Sequence, residues 1–180
     1  MMSQSGEYSY LARREFQAIR LPYGEENISL FVFLPNRAIS YHAFLALLTP
    51  ENWTAWRESF GYREGEIHLP RFRYEYSQDL GTALMRLGMS LAFDRFNADF
   101  SRLAPPPPPF CLDFVRHKTF VEVKEEGTEA AAVTVLAEFA GIGPSEPDDR
   151  FTMIVDRPFF CAIVDERTEA LLFMGAIVEP

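Results

Sequence analysis

Eight residues, ISLFVFLP from Ile28 to Pro35, leave the chain few ways to fold. Nearly all are apolar, and the run is too short for a helix that packs on all sides. It is predicted as a strand buried on both faces. Just upstream, FQAIRLPY (Phe16 to Tyr23) alternates apolar and polar residues, and GEEN between the two runs supplies turn chemistry. Two β runs joined by so short a turn predict an antiparallel hairpin.

The rest of the chain has the means to build around that hairpin. It is 180 residues long, 48% hydrophobic and 24% charged, which is a globular composition and enough for one domain with a substantial core. With 26 acidic and 17 basic residues the net charge is -9, which argues against a phosphate-backbone partner. No run of eighteen apolar residues exists, so no membrane span is expected. The opening, MMSQSGEYSY, is polar and has no secretory signal pattern.

Candidate ligating and catalytic residues are few. Cys111 and Cys161 cannot make a zinc quartet, and two buried free thiols are expected, although a disulfide cannot be read from sequence. His42, His68 and His117 are scattered, without metal-ligand spacing, and each is expected to be structural. No nucleophile–base constellation, metal set or phosphate loop is visible, so neither an enzyme nor a cofactor is expected. The triplets Asn27-Ile28-Ser29 and Asn52-Trp53-Thr54 match the glycosylation pattern, the first as a chance match at the edge of a buried strand.

Tyr41 to Leu48 carries apolar residues at helical spacing. Thr49-Pro50-Glu51 is a helix start, with Thr49 as N-cap and Pro50 in the first turn. Trp53, Trp56 and Phe60 then share one face, read as core packing. EIHLPRFRYEY (Glu66 to Tyr76) alternates as one long strand, bent at Pro70 because proline cannot donate to a ladder. DLGTALMRLGM is predicted as a short helix, capped by Ser77 or Asp79, striped by Leu80, Leu84 and Leu87, and ended by Gly88. Five prolines, Pro105 to Pro109, form a stiff surface connection. A β run from Phe110 to Lys124 follows. The chain closes with two strands, Pro158 to Val164 and Leu171 to Val178, joined by DERTEA in a buried hairpin.

Residues 124 to 143 are the unusual part. A helix over TEAAAVTVLAEF is one reading, and a long exposed loop is another. The third is a strand not yet in a sheet. With period two, Thr128, Ala130, Ala132, Thr134 and Leu136 share one face. Small side chains at its start suit a segment that must slide between existing strands, and Val133 to Val135 supply β preference. Gly127 is a natural hinge.

At this point the sequence resembles a known family. VRHKTFVEVKEEGTEAAAVTV is similar to the proximal hinge of the serpins, the serine protease inhibitors. DRPFFCAIVDERTEALLFMGAIVEP is similar to their C-terminal signature. FQAIRLPYGEENISLFVFLP and IHLPRFRYEYSQDLGTALMRLGM resemble their middle, in the family's order. The resemblance implies an α+β fold: the C-terminal half of a serpin, with antiparallel and mixed sheets, a few short helices and an exposed reactive-centre loop at about 127–147. All of 1–180 would then be the C-terminal part of a single serpin domain. Two features depart from the family. Serpins are roughly twice this long, so Met1 is expected to be internal or the gene split. The five prolines also stand where a shorter link is usual.

The resemblance implies an inhibitor of serine-type endopeptidases that acts as a suicide substrate. The protease attacks one bond and becomes an acyl-enzyme, and the cleaved loop inserts into the central sheet. The implied hinge is Glu125, Glu126, Gly127, Thr128, Glu129, Ala130, Ala131 and Ala132. Family spacing places the reactive bond at Gly141-Ile142, with Phe139-Ala140 and Ala140-Gly141 as alternatives. Small residues there imply an elastase-like or subtilisin-like target, and cleavage after Phe139 a chymotrypsin-like one. His117, Arg157, Pro158, Phe159, Phe173 and Gly175 are implied to be structural. The implied partners are the target protease and an N-terminal serpin half, in cis or in trans. Secretion is the family expectation for the full-length form, and a cytoplasmic member is the alternative. The competing reading is a truncated, non-inhibitory fragment with a structural or interaction role.

Overall fold

The computed structural model describes residues 1–24, 27–103, 110–124 and 150–179. They fall in two compact units, one of Met1–Phe72 with Val123–Pro180 and one of Arg73–Glu122. The first holds a seven-stranded sheet in the order β7-β4-β1-β2-β3-β8-β9. Its strands are β1 (Met2–Ala12), β2 (Phe16–Tyr23), β3 (Ile28–Pro35), β4 (Gly61–Leu69), β7 (Phe151–Ile154), β8 (Phe159–Asp165) and β9 (Leu171–Ile177).

The predicted hairpin is there. β2 and β3 pair antiparallel from Phe16↔Pro35 to Tyr23↔Ile28. Every β3 residue after Ile28 is buried, because β3 lies between β2 and β8 and is covered on both faces. One face carries Phe31 and Phe33, packed with Phe16, Phe44, Trp56 and Phe160. Helices α1 (Tyr41–Leu45) and α2 (Pro50–Arg57) supply Phe44 and Trp56. Trp56 meets Phe16 at 4.7 Å and Phe33 at 5.6 Å between ring centroids. Trp53 and Phe60 pack at the margin, as core rather than as a binding stripe.

Both helices start as their sequences predict. The Thr49 hydroxyl accepts from the Asn52 amide at 3.2 Å with Pro50 in the first turn, and Ser40 accepts from the Ala43 amide at 3.1 Å. Asn36 clamps the β1–β2 turn by donating to the carbonyls of Arg13 and Arg14 at 3.2 and 2.8 Å.

The structure differs from the sequence reading in several places. β1 was not foreseen. Its first nine residues pair with β4 and its last four with β2, so one strand serves two neighbours in turn. β7 was not foreseen either, being only four residues long. The run around Pro70 is not one bent strand. β4 ends at Leu69, and β5 (Phe72–Asp79) starts in a different sheet, because proline leaves a rung without a donor. Gly88, at φ 99°, leaves helical geometry and ends the helix that starts with α3 (Gly81–Leu84), as expected, but a second short helical stretch follows it directly. A π turn (Met85–Met89) spans Gly88, a 3-10 turn (Ser90–Phe93) follows, and Leu87 is 81% exposed. Finally, β9 pairs with β8 as predicted, but its Leu171 to Met174 side chains are exposed.

The second unit holds α3, the turns after it and the two-stranded sheet of β5 with β6 (Arg116–Val123). The Asp79 carboxylate accepts from the Gly81 amide at 2.7 Å, but from one residue before the N-cap position, which Leu80 takes in place of Ser77 or Asp79. β6 begins at Arg116 and not at Phe110.

Candidate functional site: the flanks of residues 125–149

The hinge residues Glu125 to Ala132, the bond at Gly141-Ile142 and its alternatives Phe139 and Ala140 lie outside the described residues. So do the five prolines. The site is therefore built from what precedes and follows residues 125–149.

On the N-terminal side is β6, RHKTFVEV. Among the described residues β6 has one neighbour, β5, so one edge of each strand has no ladder partner. A backbone bond from the Leu80 amide to the Val115 carbonyl, 2.7 Å, fixes the entry to β6. The Arg73 guanidinium of β5 lies 5.0 Å from the centre of the Phe120 ring and also pairs with Glu75 at 2.8 Å. His117 is exposed, its Nε2 2.8 Å from the Thr119 hydroxyl.

On the C-terminal side is β7, FTMI. It pairs parallel with β4, from Gly65↔Phe151 to His68↔Ile154, at the edge of the seven-stranded sheet. Phe151 and Met153 point inward at 7% and 0% exposure. Val155 follows, fully buried, its amide donating to the His68 carbonyl at 2.8 Å. Arg157 then donates from Nε to the Pro35 carbonyl at 2.8 Å, tying the chain to the end of β3.

The other residues singled out from sequence lie on β8 and β9 or just before them. Phe159 is fully buried, its ring 5.5 Å from Phe72, and Pro158 is half-buried. Phe173 is 41% exposed. Gly175 pairs with Cys161, and a Cβ there would meet only ordinary contact. Cys111 and Cys161 are free thiols. Burial pushes the Cys161 thiol from 9.0 up to about 11, so it is protonated and inert at neutral pH. Tyr41, also pushed up by burial to about 12, donates to the Phe159 carbonyl at 3.0 Å.

Sequence reasoning missed two groups. One is the seat of Phe151, formed by Gly65, Tyr10 and Tyr8. The alternating tyrosines of SGEYSYL were its only signal. The other is a charge cluster around Glu166. Arg57 reaches its Oε2 at 3.0 Å, and Arg20 Nε stands 2.8 Å from its Oε1. That second approach is ionic rather than a hydrogen bond, because the Arg20 Nε also donates to the buried Ser29 hydroxyl at 3.0 Å. No spacing rule joins residues so distant in sequence. Among the described residues, no group of three or more His, Cys, Asp or Glu side chains is placed to hold a metal ion. Among them also, no helix is long and apolar enough to cross a membrane.

A two-stranded sheet leads into the segment, and a short strand, parallel to its neighbour, leads out of it. The whole chain, residues 1–180, matches the family model described as serpin (serine protease inhibitor). It belongs to the serpin family. It is 39% identical to human Serpin B8 over 91% of this chain and 43% of that protein. It is 33% identical to Serpin B6 of Macaca fascicularis, over 99% of this chain and 46% of that one. Human neuroserpin is 32% identical over 100% and 44%. Among solved structures, the thermophilic serpin tengpin in its native state superposes with a TM-score of 0.74 at 28% identity, over 99% of this chain and 46% of that one. The architecture is thus the α+β C-terminal half of a serpin fold, and the chain spans about half the length of the relatives it matches.

Proposed function

We propose that this chain is the bait-bearing half of an inhibitor of serine endopeptidases that acts as a suicide substrate. The observation that carries the reading is the sequence EEGTEAAA, Glu125 to Ala132, directly after β6. Its glycine and small side chains suit a segment that leaves one strand, turns back and enters a sheet. The ladder edge that β6 leaves open among the described residues supports it. A strand reversing at Gly127 would lie antiparallel beside β6.

The energy is of the right size. A dozen or so new ladder bonds at about 1 kcal/mol net give on the order of 10 kcal/mol, comparable to the stability of a domain. Such a gain can distort a protease held as an acyl-enzyme, provided the starting state is kinetically trapped. His117 and Phe159 are positioning residues in this reading, on β6 and at the start of β8.

The bait bond is Gly141-Ile142, and the target a protease with a small apolar pocket, elastase-like or subtilisin-like. The test is incubation of the full-length protein with such a protease. We expect a covalent complex that survives denaturing electrophoresis and a released peptide whose first residue is Ile142. A first residue of Ala140 would move the target to the chymotrypsin-like class. Cleavage with full release across a protease panel would overturn inhibition. We place the full-length form outside the cell. A probe against this half should find a band about twice the 20.6 kDa of this chain in the culture medium.

A second reading has its own support. Leu87, Phe96 and Met174 are 81%, 91% and 71% exposed, so the 180-residue chain by itself leaves apolar surface uncovered. In that reading the chain is an interaction half that needs a separate N-terminal piece. The same probe then finds a 20.6 kDa band.

A further inference from the structure

We propose that the ring of Phe151, seated over Gly65 and stacked on Tyr10, is the positioning anchor for the C-terminal end of the bait segment. The proposal takes the role of residues 127–147 from the inhibitory reading; the anchor itself stands on geometry.

β7 is poorly placed to hold itself. It has four residues and a parallel ladder, and among the described residues it has one neighbouring strand and forms the edge of its sheet. Just before it, Arg150 pairs with Glu64 at 3.0 Å, but both side chains are about two-thirds exposed, at 67% and 65%, and such pairs contribute little. The side chains must therefore do the holding.

Phe151 does it by reaching past its neighbour. Its ring lies over Gly65 of β4, where any Cβ would overlap both the ring and the Phe151 carbonyl oxygen. Beyond Gly65 it stacks on Tyr10 of β1, with centroids 3.9 Å apart and planes 7° from parallel. Tyr8 closes the seat edge-on at 6.1 Å and 70°. The ring so couples an edge strand to β1, which is itself held by both β4 and β2. Gly65 serves this purpose in a strand where glycine is otherwise unfavourable.

The consequence is one of reach. Three residues separate residue 147 from Phe151, so the seat fixes the end of the bait to within about 14 Å of extended chain. Releasing β7 would add its four residues, about 14 Å more. Before the bond is cut, a bait with that slack is held less firmly for attack by the protease; after the cut, the segment from Ile142 on is no longer bonded to it.

The test uses the full-length protein and two readouts. The first is amide hydrogen exchange of residues 151–154 in the uncleaved protein. Phe151→Ala and Tyr10→Ala should each speed it about tenfold or more, with β2 and β3 unchanged. Tyr10→Phe keeps the stacked ring and should exchange like wild type. Gly65→Ala, which adds only a methyl, should mimic Phe151→Ala; it also covers the case in which Phe151→Ala fails to fold. Unchanged exchange in both Phe151→Ala and Gly65→Ala overturns the anchor. The second readout is the rate at which the covalent complex with an elastase-like protease forms. Phe151→Ala should lower it severalfold, and Tyr10→Phe should not. Faster exchange with an unchanged rate overturns the positioning role. A wild type that traps no protease overturns the inhibitory reading and the positioning role with it, while exchange still decides the seat.

Discussion

Cys161 shows how burial sets chemistry at a single residue. It is 7% exposed in β8, and burial raises its thiol from 9.0 to about 11. In the unfolded chain the thiol ionises first, so between those two values the unfolded state binds fewer protons and stability falls as pH rises. The contribution is fully present below pH 9 and is lost by about pH 11. Two units correspond to about 3 kcal/mol. Denaturant midpoints of the full-length protein should drop across that window, and Cys161→Ala should flatten the drop. A midpoint independent of pH in the wild type, after allowing for the tyrosines, would show that the thiol stays solvated. Sequence forecast the buried free thiol at 161. It forecast the same for Cys111, which is only half-buried, because exposure there depends on neighbours from elsewhere in the chain.

At the scale of elements, the Glu166 cluster joins three pieces of chain: β2 through Arg20, α2 through Arg57, and the β8–β9 turn. Its side chains are 16% to 28% exposed, so the charges are partly desolvated and depend on one another. Glu166→Ala leaves two guanidinium groups without their carboxylate. We expect a loss of about 2 kcal/mol, read from chemical unfolding. Glu169→Ala, whose carboxylate is 3.6 Å from Arg57 and 74% exposed, should cost little. Its positive φ of 61° costs alanine as much as glutamate, because both carry a Cβ, and an equal loss in the two variants would refute the ranking. Elements were legible in sequence where local chemistry was unambiguous. The Thr49 cap, the β2–β3 hairpin and the β8–β9 hairpin are examples. The split at Pro70 was half legible. The proline marks an interrupted ladder, but only the surrounding strands decide whether the chain bends or changes sheet.

At the scale of the molecule, apolar side chains of a kind usually buried stand exposed: Leu87 at 81%, Phe96 at 91%, Leu103 at 78% and Met174 at 71%. Among the described residues β5 and β6 form a sheet of two strands, which is marginal by itself. The 180-residue chain produced alone should therefore self-associate, and light scattering should show species larger than 20.6 kDa. Adding the N-terminal half should return a single defined species. A monomer that unfolds cooperatively without any partner would refute this.

What the sequence determined by itself is local and patterned. The apolar run of β3 made a doubly buried strand and the period-two runs made hairpins, because backbone preference and alternation act over a few residues. The tertiary structure alone decided which strands became neighbours. It placed β7 parallel beside β4, divided β1 between two partners and brought Phe151 over Gly65 onto Tyr10. Those pairings join residues scores of positions apart. Their stability comes from shape and burial in the assembled sheet, and no local pattern encodes that.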